Sequence, residues 1–111
     1  IKAVHLHRHS GRRVRLAGWL ITGKRVRTKH GDPMEFLSFE DETALIETTF
    51  FPRTYVRFCH LLETGHPYLL TGTVDEDWGA HTLNVQHVAR LGGTARDMNM
   101  NSVLEKGLKS A

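Results

Sequence analysis

The sequence predicts an all-β domain, a small five-stranded Greek-key barrel with one short α-helix between the third and fourth strands. Five segments have the alternating or β-branched and aromatic composition of strands, and Gly, Pro and acidic turns separate most of them. Only one segment carries apolar residues at a helical period. The chain has 111 residues, of which 40% are hydrophobic and 24% charged, and this composition suits one domain with one modest core.

The first strand is predicted over residues 14–28, which are rich in β-branched and aromatic side chains. Gly18 and Gly23 would destabilise a helix, but a long strand accepts a glycine where it bulges or bends. The run Gly-Asp-Pro at 31–33 is typical of a turn, so the strand ends near residue 28. Residues 1–13 are basic and rich in histidine, and we expect a flexible segment there.

The second and third strands are predicted to form a hairpin. Residues 34–40 alternate, with Leu37 and Phe39 on the core side and Phe36 on the outer side. A short acidic turn follows, and residues 44–51 alternate again. The short connection favours antiparallel pairing of the two strands.

One helix and two further strands complete the domain. Pro52 suits the first turn of a helix, and the apolar residues after it recur at i, i+3, i+4 and i+7 before Gly65 ends the element. Strands are predicted over 67–74 and 82–91, with an acidic loop between them. Five strands with a helix after the third is the arrangement of the oligonucleotide/oligosaccharide-binding (OB) fold, here over residues 14–91.

Four runs of sequence carry a resemblance to a known family. They are Gly18 to Ile21, Lys24 to Met34, Phe36 to Thr43 and Phe51 to Tyr55. The turn "TK-x-G-x-PM" followed by "FLSFEDET" resembles the OB domain near the C-terminal end of the bacterial DNA polymerase III α subunit. The resemblance implies an accessory, non-catalytic module that binds single-stranded template DNA, or RNA. It also implies a location in the bacterial cytoplasm, at the nucleoid.

The parent chain would then resemble a DNA-directed DNA polymerase, and its other domains would be partners of this one. The first residue is Ile1 rather than Met, which is expected of a segment from a longer polypeptide. Residues 92–111 lack a clear pattern and are interpreted as a tail or linker.

Cations and aromatic residues mark a predicted binding groove for single-stranded nucleic acid. Residues 1–30 contain nine Lys and Arg and no Asp or Glu. Arg25, Arg27 and Lys29 recur at every second position, so they would project from one side of strand 1 and line a groove wall. Phe36 and Trp78 are the predicted stacking platforms, because an aromatic ring stacks on any base.

Polar residues on the face of Phe36 would contribute as well. Ser38, Glu40 and Glu47 lie on that predicted face, and the two carboxylates imply modest affinity for a polyanion. They would accept hydrogen bonds from base amino groups or pair with Arg or Lys across the sheet. Trp78 has an alternative too, since its acidic loop would repel phosphate and the ring could instead fold back onto the barrel.

The sequence offers little for catalysis, metals or cofactors, and we expect none. Three histidines alternate near the start without a fourth ligand; they are His5, His7 and His9. Asp75 and Asp77 fall in a short hairpin loop rather than at a sheltered strand end. Cys59 and His60 are neighbours on a helix, so their side chains point about 100° apart and do not form a nucleophile–base pair.

Two other classes of function fit the same fold. One is a protein-interaction OB domain within a replisome assembly, with the basic strand facing an acidic partner. The other is an anticodon-binding OB domain that recognises tRNA. No apolar run approaches the roughly 20 residues of a membrane span, and we expect neither a membrane nor a small-molecule substrate as partner.

Overall fold

A computed structural model describes residues 1–92 as a closed five-stranded barrel with the strand order β1-β2-β3-β5-β4. The strands are β1 (Arg13–Arg27), β2 (Pro33–Glu40), β3 (Leu45–Phe50), β4 (Pro67–Asp77) and β5 (Ala80–Arg90). Helix α1 (Pro52–Phe58) lies between β3 and β4, and a 3-10 turn (Cys59–Leu61) extends it. Neighbouring strands are antiparallel except β3 and β5, which pair in parallel. The predicted OB architecture is confirmed.

Strand β1 is long enough to serve two sides of the barrel. Its first half pairs with β4 and its second half with β2, and the register shifts between Leu20 and Thr22. The extra residue of this bulge is therefore Ile21, not one of the two glycines. At Gly23 the ends of the Leu37 and Glu35 side chains of β2 lie where a Cβ would be, so this glycine lets both side chains pack close to β1. A one-residue bulge exchanges the two faces of every later residue in the strand.

The core lies inside the barrel, and three of its aromatic side chains lie next to one another. The ring of Phe39 lies 6.3 Å from that of Phe50 and 6.1 Å, edge to face, from that of Tyr68, measured between centroids. All three residues have 0% exposure. In β2, Leu37 and Phe39 are buried and Phe36 is exposed, as the alternation predicts. Burying these large rings together removes apolar surface from water and so stabilises the barrel.

The tyrosine in this core also fixes the segment between α1 and β4. The hydroxyl of Tyr68 donates a hydrogen bond to the carbonyl of Leu61 (2.6 Å) and accepts one from the backbone N–H of Glu63 (2.7 Å). Burial raises the pKa of this hydroxyl further above neutral, so the donated hydrogen bond persists into the alkaline range.

The N-terminal segment differs from the flexible one predicted for residues 1–13. Ala3–His9 forms a 3-10 helix that packs on the barrel, with Ala3 and Leu6 buried in the core cluster. Asp41 holds it in place, because one carboxylate oxygen accepts a hydrogen bond from the backbone N–H of Ala3 (2.7 Å). The acceptor lies in the β2–β3 turn, 38 residues away, so no local pattern in residues 1–13 reveals the contact.

Some predicted boundaries also move. The predicted helix extends towards Gly65, whereas α1 ends at Phe58 and tightens into the 3-10 turn. The predicted acidic loop at 75–79 is mostly strand, since β4 continues to Asp77 and pairs with β5 across a two-residue turn. The predicted tail, residues 92–111, falls outside the described residues except at Gly92. Within residues 1–92, no helix is both long and apolar enough to cross a membrane.

Candidate nucleic-acid interface

The outer surface formed by β2, β3 and the second half of β1 carries the predicted site residues Phe36, Ser38 and Glu47 and is called here the front face. Residues directly opposite one another in antiparallel strands share a face, so the pairing defines rows of neighbouring side chains. Three rows cross the front face: Lys24–Phe36–Thr49, Thr22–Ser38–Glu47 and Trp19–Glu40–Leu45. A cation, aromatic rings and hydrogen-bonding groups therefore lie on one surface.

Phe36 lies at the centre of the first row. Its side chain is 45% exposed, whereas the adjacent Leu37 is 2% exposed, so the ring contributes little to the barrel core. Lys24 faces it from β1 and Thr49 from β3. An exposed ring next to an exposed ammonium group can stack a base and contact its phosphate.

The second row contains a hydrogen bond between two predicted site residues. The hydroxyl of Ser38 donates to a carboxylate oxygen of Glu47 at 2.8 Å. In the described part of the chain, neither Glu40 nor Glu47 forms an ion pair. Glu47 is thus held by Ser38 rather than by a cation, and its second oxygen is free of that bond and able to accept from a base amino group.

The structure places Arg25 and Arg27 away from the front face. They share one side of β1, as their spacing predicts, but Arg25 lies opposite Glu35, on the side of β2 that carries Leu37. The bulge at Ile21 explains this, because it reverses the alternation of every later residue in β1. The groove wall predicted from these arginines therefore does not adjoin Phe36.

These arginines have local roles instead. Arg25 and Glu35 line a cavity between the β1–β2 hairpin and α1, together with Tyr55. Partial burial raises the pKa of the Glu35 carboxyl, and the positive charge of Arg25 partly offsets this rise. Arg27 donates a hydrogen bond to the carbonyl of Gly31 (2.7 Å) and so closes the β1–β2 loop, where Lys29 is exposed.

Lys24 is the front-face cation that sequence reasoning missed. Counted by simple alternation from the first half of β1, this residue falls on the inner side. Only the position of the bulge places it opposite Phe36, and Ile21 gives no sequence signal of a bulge. Trp19, which is partly buried, lies on the same outer side at the far end of the front face.

Trp78 occupies an unusual turn at the tip of the β4–β5 hairpin. Its φ is +53° and that of Gly79 is +82°, the two positive angles of a type I′ turn. Asparagine is favoured at the first of these positions, and a bulky residue there is strained. The side chain is 99% exposed, so the ring is not folded back onto the barrel. Neither backbone preference nor packing accounts for a tryptophan here.

The other chemistry-bearing residues lie apart. Within residues 1–92, no three His, Cys, Asp or Glu side chains are close enough together to hold a metal ion. His9 contacts the carbonyl of His5 (3.1 Å), whereas the ring of His7 lies against His81, 6.4 Å between centroids. The three alternating histidines are thus not assembled into one site.

A known family matches most of the barrel. The tRNA anti-codon family, described as "OB-fold nucleic acid binding domain", matches residues 14–91. This range coincides with the predicted domain and includes all five strands except the first residue of β1.

Two bacterial polymerases are similar in sequence. The chain is 36% identical over 86 residues to the error-prone DNA polymerase of Symbiobacterium thermophilum, covering 76% of this chain and 8% of that protein. It is 37% identical over 62 residues to the DNA polymerase III subunit alpha of Halalkalibacterium halodurans, covering 56% of this chain and 6% of that protein. The predicted resemblance is confirmed, and the chain spans less than a tenth of either relative.

A solved structure shares the fold at low identity. The mitochondrial single-stranded DNA binding protein Rim1 of S. cerevisiae matches with a TM-score of 0.62 and 9% identity. The match covers 74% of this chain and 96% of Rim1. At this identity the likeness concerns the barrel itself, not its residues.

Proposed function

Because this chain belongs to the family of OB-fold nucleic-acid-binding domains, we propose that it binds single-stranded nucleic acid, with template DNA as the first candidate, on the front face. It would act as an accessory module of a DNA polymerase III α-type polymerase in the bacterial cytoplasm, next to the catalytic domains and without catalysis of its own. The sequence similarity to two such polymerases supports this context.

The observation that carries the proposal is the row Lys24–Phe36–Thr49. It combines a half-exposed aromatic ring, a cation on one side and a hydroxyl on the other. Binding of single strands without sequence preference uses this combination, because rings stack on bases and cations contact the backbone. Trp78 at the hairpin tip offers a second ring, and Lys29 offers a second exposed cation at the β1–β2 loop.

The acidic side chains set a limit on affinity. Glu40 and Glu47 lie among the rows of the front face. Their charges oppose a backbone that carries one negative charge per nucleotide. The domain would therefore bind with modest affinity and few phosphate contacts, which suits a module that must move along template.

The proposal is tested by two matched single-charge variants of neighbouring residues. Lys24→Gln removes a cation on the front face, whereas Arg25→Gln removes one that lies beside Glu35 on the other side of β1. Titration of oligo(dT) at several salt concentrations should show weaker binding for Lys24→Gln and a log–log slope reduced by about 0.7, the value of one phosphate contact. Arg25→Gln should keep the slope of the unmodified chain.

Equal effects of the two variants would contradict the assigned face. Binding by the unmodified chain that does not weaken with salt would contradict nucleic-acid binding as a whole, since contacts to phosphate release counterions. The surface would then fit the alternative of a protein partner better.

The strained turn yields a second prediction. Trp78→Asn places the favoured residue at the first position of the type I′ turn, so the free energy of unfolding should rise by about 1 kcal/mol. Affinity for oligo(dT) should fall by about fivefold, which corresponds to the lower end of the free-energy range for one base stack. Denaturant melts and fluorescence anisotropy measure the two effects.

A second variant separates the ring from the backbone strain. Trp78→Phe keeps an aromatic side chain at the same positive φ, so it should retain most of the affinity without the gain in stability. If Trp78→Asn binds as well as the unmodified chain, the ring at the hairpin tip does not touch the ligand.

A further inference from the structure

A basic surface lies on the side of the barrel opposite the front face, where β1, β4 and β5 are neighbours. Arg13, Arg15, Thr71 and His87 line an open cleft there, which we call the back groove. The pairing places Arg15 opposite Thr71 and Thr71 opposite His87, so these three form one row across the outer surface. Both arginines and His87 are exposed.

The back groove presents hydrogen-bond donors and no carboxylate. Two guanidinium groups, a hydroxyl and an imidazole line it, and all can donate to an anionic oxygen. Within residues 1–92, Arg13 and Arg15 have no carboxylate within ion-pairing distance. The first acidic residue after Thr71 on the outer side of β4 is Asp75. It pairs with Thr82 of β5, beyond the end of the cleft. The arginines are therefore free to meet an external anion.

A contact with helix α1 fixes the position of His87 in the cleft. The ring of His87 packs edge to face on Phe58, 5.1 Å between centroids. The guanidinium of Arg57 lies 5.2 Å from the centroid of the same Phe58 ring. The Phe58 ring of α1 thus positions the imidazole, and the same ring also contacts the guanidinium of Arg57.

The outward-facing side chains of β1 connect the back groove to the front face. On this side of the strand, Arg13 and Arg15 are followed by the half-buried Trp19 and, beyond the bulge, by Lys24. Cations thus flank an aromatic ring on one continuous strand, and interleaved cations and rings are what a track for single-stranded nucleic acid requires. The bulge at Ile21 is what keeps Lys24 on the same outer side.

We propose that the back groove binds the phosphodiester backbone of the same single strand after it leaves the front face along β1. Arg13 and Arg15 each contact one phosphate, and Thr71 and His87 donate further hydrogen bonds. This rests on the proposed function for its ligand, but it assigns a different set of residues. It also predicts that ligand length matters, because a short oligonucleotide fills the front face without reaching Arg15.

The test compares oligo(dT) of about 6 and about 20 nucleotides, lengths within and beyond the usual site size of one OB fold. The variant is Arg13→Gln with Arg15→Gln in the full 111-residue chain. The control is Arg8→Gln with Arg53→Gln, which removes the same charge at two exposed positions outside both surfaces. Circular dichroism melts confirm that both double variants are folded.

With the long oligonucleotide, the log–log salt slope of the Arg13/Arg15 variant should fall by about 1.4 relative to the control, for two lost phosphate contacts. Between 50 and 200 mM salt the unmodified chain then loses about sevenfold more affinity than the variant. With the short oligonucleotide, variant and control should agree within about twofold, since it does not reach the groove.

Two failures are distinguishable. If the variant and the control bind the long oligonucleotide with the same affinity and slope, the back groove does not contact the nucleic acid. The assignment of the front face is not affected by that result. If the unmodified chain binds neither oligonucleotide in a salt-dependent way, both the proposed function and this extension are wrong. An acidic protein partner would then be the remaining ligand for the arginines.

Discussion

Phe39→Ala should lower the free energy of unfolding by about 3 to 5 kcal/mol, because the ring is fully buried between two others and its removal leaves a cavity. That loss is a large fraction of the stability of a small domain, so the variant should be partly unfolded at 25 °C or melt far below the unmodified chain. Urea titration followed by circular dichroism measures it.

A graded variant keeps the result interpretable if Phe39→Ala does not fold. Phe39→Leu removes less volume and should cost less than half as much, while the folded protein should bind oligo(dT) as the unmodified chain does. A stability loss below about 1 kcal/mol for Phe39→Ala would mean that the ring is not in the core and that the assigned faces of β2 are exchanged.

The faces of β2 were predictable from the sequence, and those of β1 were not. Strand β2 runs through its pairing with β3 without a bulge, so period-two alternation gives the correct sides of Phe36, Leu37 and Phe39. In β1 the extra residue at Ile21 reverses the pattern halfway, and Arg25 consequently faces Glu35. A bulge depends on how the closed barrel bends, which local sequence does not encode.

The N-terminal helix illustrates a second limit. Its attachment depends on Asp41: one carboxylate oxygen binds the N–H of Ala3, and the other accepts hydrogen bonds from the backbone N–H and the hydroxyl of Thr43 and from the N–H of Ala44. The turn that contains Asp41 is visible in the sequence as an acidic run. The long-range partner of Asp41 is not visible in the sequence, because the N–H of Ala3 comes from a segment that has no apolar periodicity of its own.

The β4–β5 turn shows a third limit. Turn prediction relies on pairs such as Asn-Gly, in which both residues favour positive φ. In the pair Trp78-Gly79 only the glycine does. The sequence therefore predicts that the strand ends at Val74, whereas its pairing with β5 continues to Asp77. Where a local preference is overridden in this way, the residue responsible is a candidate for function rather than for folding.

Phe36→Ala should weaken binding of oligo(dT) by about 1 to 3 kcal/mol, the value of one lost base stack. The structure gives the reason, since the ring is 45% exposed in the row with Lys24 and Thr49 and stands outside the core cluster. Because the side chain is only partly buried and lies outside the core, the free energy of unfolding should change by about 1 kcal/mol or less, well below the loss for Phe39→Ala. Anisotropy titrations and urea melts on the same preparation measure both quantities.

The salt dependence of this variant separates stacking from charge. Removing a neutral ring leaves the number of phosphate contacts unchanged, so Phe36→Ala should bind more weakly at every salt concentration with the slope of the unmodified chain. Phe36→Trp should bind oligo(dT) at least as tightly as the unmodified chain, because a larger ring stacks at least as well on a base. If Phe36→Ala binds normally and is the destabilised variant, the ring packs on the barrel and the front face has lost the residue on which its assignment depends.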